Sequence, residues 1–183
     1  MMNTQGGMPL PIKKLVIGGC RSGKSRYAEQ WVAENFSDKV FLATLEARDD
    51  AEMDQRIALH RQSRGAGWLT VEEPLDLAGV MGKNEIGAEV FLVDCLTMWL
   101  TNMMMQDFSD EKIQDEVSRL SRTVAALSVS VVLVANEVGL GVVPESPLGR
   151  RFRDLAGWTN QQMALMCQQV VLVAAGLPLR LKG

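Results

Sequence analysis

The chain has 183 residues, 47% of them apolar and 22% charged, enough to bury the core of one domain of ordinary size. Its formal charge of −3 speaks against a mainly electrostatic nucleic-acid binder, which would carry a basic face. Three cysteines without CxxC spacing, Cys20, Cys95 and Cys167, speak against a disulfide framework or a zinc site and predict small buried thiols in a reducing compartment.

The first residues, Met1 to Gly7, lack a basic segment followed by an apolar one, so no targeting signal is predicted. Residues Met1 to Lys13 read as a flexible tail, and Lys14 to Gly183 as a single domain. No apolar run approaches the roughly 20 residues that span a bilayer. The richest, Leu96 to Met105, is interrupted by Thr97, Thr101 and Asn102. A cytoplasmic protein without a membrane span is expected.

In chain order, Lys14 to Ile17 predicts a strand ending in Gly18-Gly19, and Lys24 to Asn35 a helix with Tyr27, Trp31 and Val32 available for burial. Val40 to Thr44 is a second strand. Asp50 to Arg64 is predicted helical, with Met53, Ile57 and His60 on one face. Leu69 to Val71 is a short strand, and Glu73-Pro74 opens a short helix. Val90 to Asp94 is a buried strand ending in an acid. Leu96 to Met105 and Glu111 to Leu127 are helices, and Ser130 to Ala135 is a core strand. A Gly- and Pro-containing loop, Val138 to Ser146, precedes a long helix from Pro147 to Gln168. Val170 to Ala174 and Leu179 to Leu181 are terminal strands turning at Gly176. Strands alternating with helices predict an α/β fold with a mainly parallel sheet. Right-handed crossovers then gather Gly19, Thr44, Asp94 and Asn136 at one sheet edge, where such folds bind ligands.

Gly18-Gly19-Cys20-Arg21-Ser22-Gly23-Lys24-Ser25 matches G-x-x-x-x-G-K-[ST] between a strand and a helix, the setting a phosphate-binding P-loop requires. Glycines let the backbone wrap a phosphate, and the helix N-terminus aims N–H groups at it. Lys24 is expected to reach the β- and γ-phosphates and Ser25 to hold Mg²⁺. Asp94, ending an apolar strand, is either the second Mg²⁺ handle or a cap on the helix at Leu96.

Several blocks narrow this reading. Beyond the P-loop stand Asp49-Asp50-Ala51-Glu52-Met53, Arg56-Ile57, His60-Arg61, Arg64, Trp68, Thr70 and Glu72 to Leu77. Further on come Asn136 to Glu145, Phe152 to Gly157 and Asn160-Gln161. In this order, from about Leu15 to the C-terminus, they resemble the bifunctional adenosylcobinamide kinase / adenosylcobinamide-phosphate guanylyltransferase family of cobalamin biosynthesis. The resemblance implies a P-loop NTPase fold with a RecA-like sheet, and a homotrimer. It also implies two reactions. ATP or GTP phosphorylates the aminopropanol hydroxyl of adenosylcobinamide. GTP then gives GMP to adenosylcobinamide phosphate, yielding adenosylcobinamide-GDP and pyrophosphate.

His60 matches the family's guanylylated histidine and is the chain's one histidine. A neutral imidazole is a competent nucleophile for such an intermediate. Arg61, Gln62, Ser63 and Arg64 follow it, either as guanine-nucleotide contacts, for which the arginine fork suits phosphate, or as a solvated helix end. Glu72 matches a nucleotide-contacting acid whose carboxylate can accept from guanine N1–H and 2-amino groups. Ala43-Thr44-Leu45 matches another nucleotide-contacting segment. Cys20 stands where many relatives have Ala, and Leu59 where they often have a second His. The Asn136 to Glu145 loop reads either as a shaper of the corrinoid or phosphate pocket or as plain connectivity. Two other readings stay open: a simple P-loop kinase with His60 idle, and a GTP-binding module without transfer chemistry.

Overall fold

The computed structural model describes residues 11–45, 67–83 and 87–183. Among these, seven strands form one sheet: β1 (Lys13–Gly18), β2 (Lys39–Ala43), β3 (Trp68–Glu72), β4 (Val90–Asp94), β5 (Ser130–Asn136), β6 (Gln169–Ala174) and β7 (Leu177–Lys182). Their order is β3-β2-β4-β5-β1-β6-β7. Every neighbouring pair is parallel except β6 and β7, which form an antiparallel hairpin. The helices are α1 (Lys24–Asn35), α2 (Leu77–Lys83), α3 (Leu96–Met105), α4 (Asp110–Ala126) and α5 (Pro147–Met166).

Strands buried on both faces should read as continuous apolar runs, and β4 and β5 do. Alternate residues feed two cores. Leu15, Phe91, Val93, Val131 and Leu133 pack with α2 to α5 on one face. Val16, Val90, Leu92, Val132 and Val134 pack with Ala28 and Val32 of α1 on the other. The apolar stripe of α4, Ile113, Val117, Leu120 and Val124, recurs at helical spacing and is fully buried. Ser109 caps that helix by accepting from the Lys112 N–H, and Ser146 caps α5 by accepting from Gly149. Met103 and Met104 are buried core and Met105 is exposed, so most of the methionine run on α3 serves packing.

Four expectations are corrected. The tail ends earlier, because the Ile12 N–H already donates to Ser130 Oγ at 3.1 Å and Lys13 begins β1. The short helix opens at Leu77 rather than at Glu73. Pro74 biases its predecessor towards an extended backbone, and the Glu73 carboxylate accepts from the Leu75 and Asp76 N–H groups, holding a turn that Asp76 closes by accepting from Gly79. The long helix stops at Met166, because β6 begins at Gln169. Cys20 is exposed, whereas Cys95 and Cys167 are buried as expected. Cys20 sits in the loop that leaves the sheet edge. The expected helix from Asp50 to Arg64 lies outside the described residues.

Candidate active site

The strand order decides what meets at the edge. β5 lies between β1 and β4, and register pairs Gly18 with Asn136 and Asp94 with Val134. The P-loop and Asp94 therefore leave the same edge two strands apart, a gap of roughly 10 Å at ordinary strand spacing. That width suits a pair of phosphates and a cation between them.

The loop from Gly18 to Ser25 has P-loop geometry. A Cβ at Gly18 would collide with the Val173 carbonyl of β6 and the Ser22 hydroxyl, so close packing against β6 demands glycine there. Gly23 caps α1 at φ 93°, in the left-handed region. A Cβ at Gly19 would meet open space, which leaves that backbone approachable by a ligand. Arg21 also holds a positive φ of 54°. The Ser22 N–H donates to the Gly19 carbonyl at 3.2 Å, and the Ser22 carbonyl accepts from Gly176 in the β6–β7 turn at 2.8 Å. The C-terminal hairpin thus braces the loop.

Lys24 is buried, and its Nζ donates to the Gly19 carbonyl at 3.2 Å. It is folded back over the loop, where a phosphate can take over its hydrogen bond. Ser22 Oγ is buried without a hydrogen-bond partner among the described residues, a hydroxyl that can donate to an anion. Ser25 stands in the first turn of α1.

Asp94 ends β4, as expected. The N-cap of α3 is Cys95, so Asp94 stands one residue before the cap position. The Cys95 thiol is pushed up to about 11, first by burial and then by the Asp94 charge, while Lys24 pulls the other way. Lys24 and Asp94 therefore both act on the same buried point.

Thr44 is fully buried. Its hydroxyl accepts from the Cys95 N–H and donates to the Cys95 carbonyl, both at 2.8 Å. Its carbonyl accepts from Asn102 Nδ2 at 2.6 Å, and the same amide reaches the Pro74 carbonyl at 3.1 Å. Thr44 enters the site as the clamp that fixes the residue after Asp94. Ala43 pairs with Asp94 on one side and Glu72 on the other, so Glu72 stands at the same edge. Leu45 is half-buried beside them. His60, Arg61, Gln62, Ser63 and Arg64 lie outside the described residues. Arg150 and Arg151 are engaged by carbonyls at Pro144, Glu145 and Phe108 and by the Asp110 carboxylate.

Two residues that motif reading left without a role stand at the centre of the edge. Thr97 accepts from the Asn136 N–H at 2.7 Å, and Asn160 donates to the Asn136 carbonyl at 3.1 Å. Asn160 carried a signal, because it lies in one of the blocks that mark the resemblance; Thr97 carried none.

Ser25 and Asp94 offer hard oxygen donors that suit Mg²⁺, which typically takes one or two protein oxygens and completes its shell with phosphates and water. Among the described residues no group of three or more His, Cys, Asp or Glu could hold a metal on its own. The donor set fits a cation that arrives with its nucleotide.

The clamp is testable. Thr44→Val leaves the Cys95 N–H buried without its partner and its carbonyl with the Trp99 N–H alone, and should lower unfolding stability by about 1–3 kcal/mol in urea denaturation. Thr44→Ser should retain most of it, and a valine variant as stable as the parent would remove the clamp.

Comparison with known proteins identifies the family and the fold. A sequence model of the family described as cobinamide kinase / cobinamide phosphate guanyltransferase matches residues 14–181. The chain is 44% identical over 172 residues to the bifunctional adenosylcobalamin biosynthesis protein CobP of Pseudomonas aeruginosa, covering 94% of this chain and 98% of that one. It is 39% identical to the corresponding CobU protein of Escherichia coli, covering 92% and 98%. Among solved structures, the flagellar accessory protein FlaH of Methanocaldococcus jannaschii aligns with TM-score 0.52 at 16% identity, covering 97% of this chain and 80% of that one. The RadB recombinase aligns with TM-score 0.53 at 14% identity, covering 91% and 76%. Those two likenesses concern the fold alone, a P-loop NTPase fold, whereas the family model and the bacterial relatives span nearly the whole sequence. The chain belongs to the cobinamide kinase / cobinamide phosphate guanyltransferase family.

Proposed function

We propose that this chain carries out both reactions its family is named for: phosphorylation of adenosylcobinamide by ATP or GTP, then GMP transfer from GTP to adenosylcobinamide phosphate. The observation that carries the reading is the meeting of the P-loop and Asp94 at one sheet edge, held there by the pairing of β1, β5 and β4.

For the first reaction, the N–H groups of Gly19 to Ser25 and the Lys24 ammonium receive the β- and γ-phosphates. Ser25 and Asp94 hold Mg²⁺, which when bound neutralises phosphate charge and orients the γ-group. Lys24 must leave the Gly19 carbonyl to reach the phosphate, a short swing about its own side chain. The acceptor hydroxyl forms a bond to the γ-phosphorus, the bond from that phosphorus to the bridging oxygen breaks, and the nucleoside diphosphate leaves. The Ser22 hydroxyl, buried without a partner, gives one further donor to the phosphates.

For the second reaction, a ring nitrogen of His60 attacks the α-phosphorus of GTP and expels pyrophosphate. A phosphate oxygen of adenosylcobinamide phosphate then attacks the same phosphorus, forming adenosylcobinamide-GDP and freeing the imidazole. Arg61, Gln62, Ser63 and Arg64 hold the nucleotide near His60, and Ala43, Leu45 and Glu72 contact it from the edge. We place the protein in the cytoplasm as a homotrimer that binds no nucleic acid. No helix among the described residues is long and apolar enough to cross a membrane.

Labelled GTP separates the two halves of the proposal. With Mg²⁺ and GTP labelled at the α-phosphate, the denatured protein should retain an acid-labile, alkali-stable label. The label should be absent with γ-labelled GTP and absent in His60→Ala, which should still make adenosylcobinamide phosphate. Retained label in His60→Ala would move the nucleophile elsewhere. No label in the parent, with GTP shown to bind, would leave the kinase alone. Light scattering at three times the 20.1 kDa of the chain checks the trimer, and a mass at once or twice that value would refute it.

A further inference from the structure

Asn136 ends β5 level with Gly18, on the strand that separates the P-loop strand from the Asp94 strand. Its backbone is fixed on both sides. The N–H donates to Thr97 Oγ1 at 2.7 Å, and the carbonyl accepts from Asn160 Nδ2 at 3.1 Å. The next N–H, of Glu137, donates to the Gly18 carbonyl at 3.0 Å, tying this corner to the phosphate loop.

Against that fixed backbone, Asn136 Oδ1 is buried and has no hydrogen-bond partner among the described residues. A buried acceptor left unmade costs stability until a donor reaches it. Ser22 Oγ, also without a partner among the described residues, is a hydroxyl that a phosphate oxygen can satisfy. Asn136 Oδ1 is different in kind. In the orientation the structure gives the amide, this atom accepts only, and ionised phosphate oxygens also accept only, so the nucleotide's phosphates are not its partner there. The partner must bring an O–H or N–H to the strand end that stands level with the phosphate loop.

We propose that Asn136 Oδ1 accepts a hydrogen bond from the acceptor hydroxyl of adenosylcobinamide and aims that oxygen at the γ-phosphorus, making Asn136 a catalytic residue of the kinase step. This rests on the phosphoryl-transfer reading above. The amide does not take the proton. As the new O–P bond forms and the nucleoside diphosphate leaves, the hydroxyl proton passes to a phosphoryl oxygen and then to water. The amide's contribution is orientation, for which three tethering hydrogen bonds already fix the backbone.

The test uses the full chain with Asn136→Leu, which has similar bulk and no acceptor. Three quantities are read: kcat for adenosylcobinamide phosphorylation, the Kd of a non-hydrolysable ATP analogue with Mg²⁺, and the melting temperature without ligand. The expected result is a roughly 100-fold loss in kcat, the size of effect that misplacing a reacting atom produces. Analogue Kd should stay within about threefold of the parent. The melting temperature should not fall, because a buried orphan has been removed rather than a contact. Asn136→Ala deletes the same acceptor without adding bulk and gives the same split should the leucine variant misfold. Parental kcat in both variants overturns the assignment while leaving the kinase reading intact. So does a loss of kcat matched by an equal loss of Mg²⁺-dependent analogue affinity, which would make the partner a cation-bound water. A parent chain that gives no adenosylcobinamide phosphate sinks the kinase reading and this assignment with it.

Discussion

The site depends on the insertion of β5 between β1 and β4. Parallel pairing on both sides of that strand sets the height of Gly18 against Asn136 and of Asp94 against Val134. It therefore fixes the distance between the phosphate loop and the acid. Neither end could compensate for a slip, because a one-residue shift in a strand buried on both faces exchanges the two cores residue for residue. Here Val131 and Leu133 face α2 to α5, while Val132 and Val134 face α1. The same packing that stabilises the sheet thus sets the geometry of the chemistry.

Around this frame, side chains from remote parts of the chain lock the strand ends. Thr44 grips both backbone groups of Cys95, Thr97 receives the N–H of Asn136, and Gly176 donates to Ser22. Each joins a strand end to its neighbour just where the ladder runs out and backbone groups would otherwise go unpaired. In the proposed reactions a nucleotide would meet donors whose positions are already set, which is the economical way to stabilise charge in a phosphoryl or nucleotidyl transfer. Lys24 is the exception: resting on the Gly19 carbonyl, it has a partner before the ligand comes and must exchange it.

Much of this was legible in the sequence. The P-loop announces itself because its glycines answer local demands, the left-handed φ at Gly23 and the contact of Gly18 with β6, which only one residue type meets. Asp94 was legible as an acid closing an apolar strand, and the bounds Val90–Asp94 and Leu96–Met105 matched because composition changes sharply at both. The clamps were not legible. Thr44 and Cys95 are 51 residues apart and Thr97 and Asn136 are 39 apart, and a single side-chain hydrogen bond at such separation leaves no periodic trace. The opening of α2 was misplaced because Pro74 suits both a first helical turn and the turn before it, and the Glu73 carboxylate chose the latter. Cys20 was misjudged because free cysteine is usually buried, whereas this one lies on a loop that must face its ligand. His60, the proposed nucleophile, lies outside the described residues; it was singled out through the family resemblance, and helical spacing alone would have left it one residue on a predicted helix face.

The central claim is that the P-loop and Asp94 act on one triphosphate as a unit. A double-mutant cycle of Lys24→Met and Asp94→Asn measures this directly, by equilibrium binding of a non-hydrolysable ATP analogue with Mg²⁺. The account predicts a coupling of about 1 kcal/mol or more, as for residues sharing one ligand. The coupling should be absent when a nucleoside monophosphate is the ligand. Losses that add to within about 0.3–0.5 kcal/mol with the triphosphate would mean that the two residues serve separate sites, and would contradict the account.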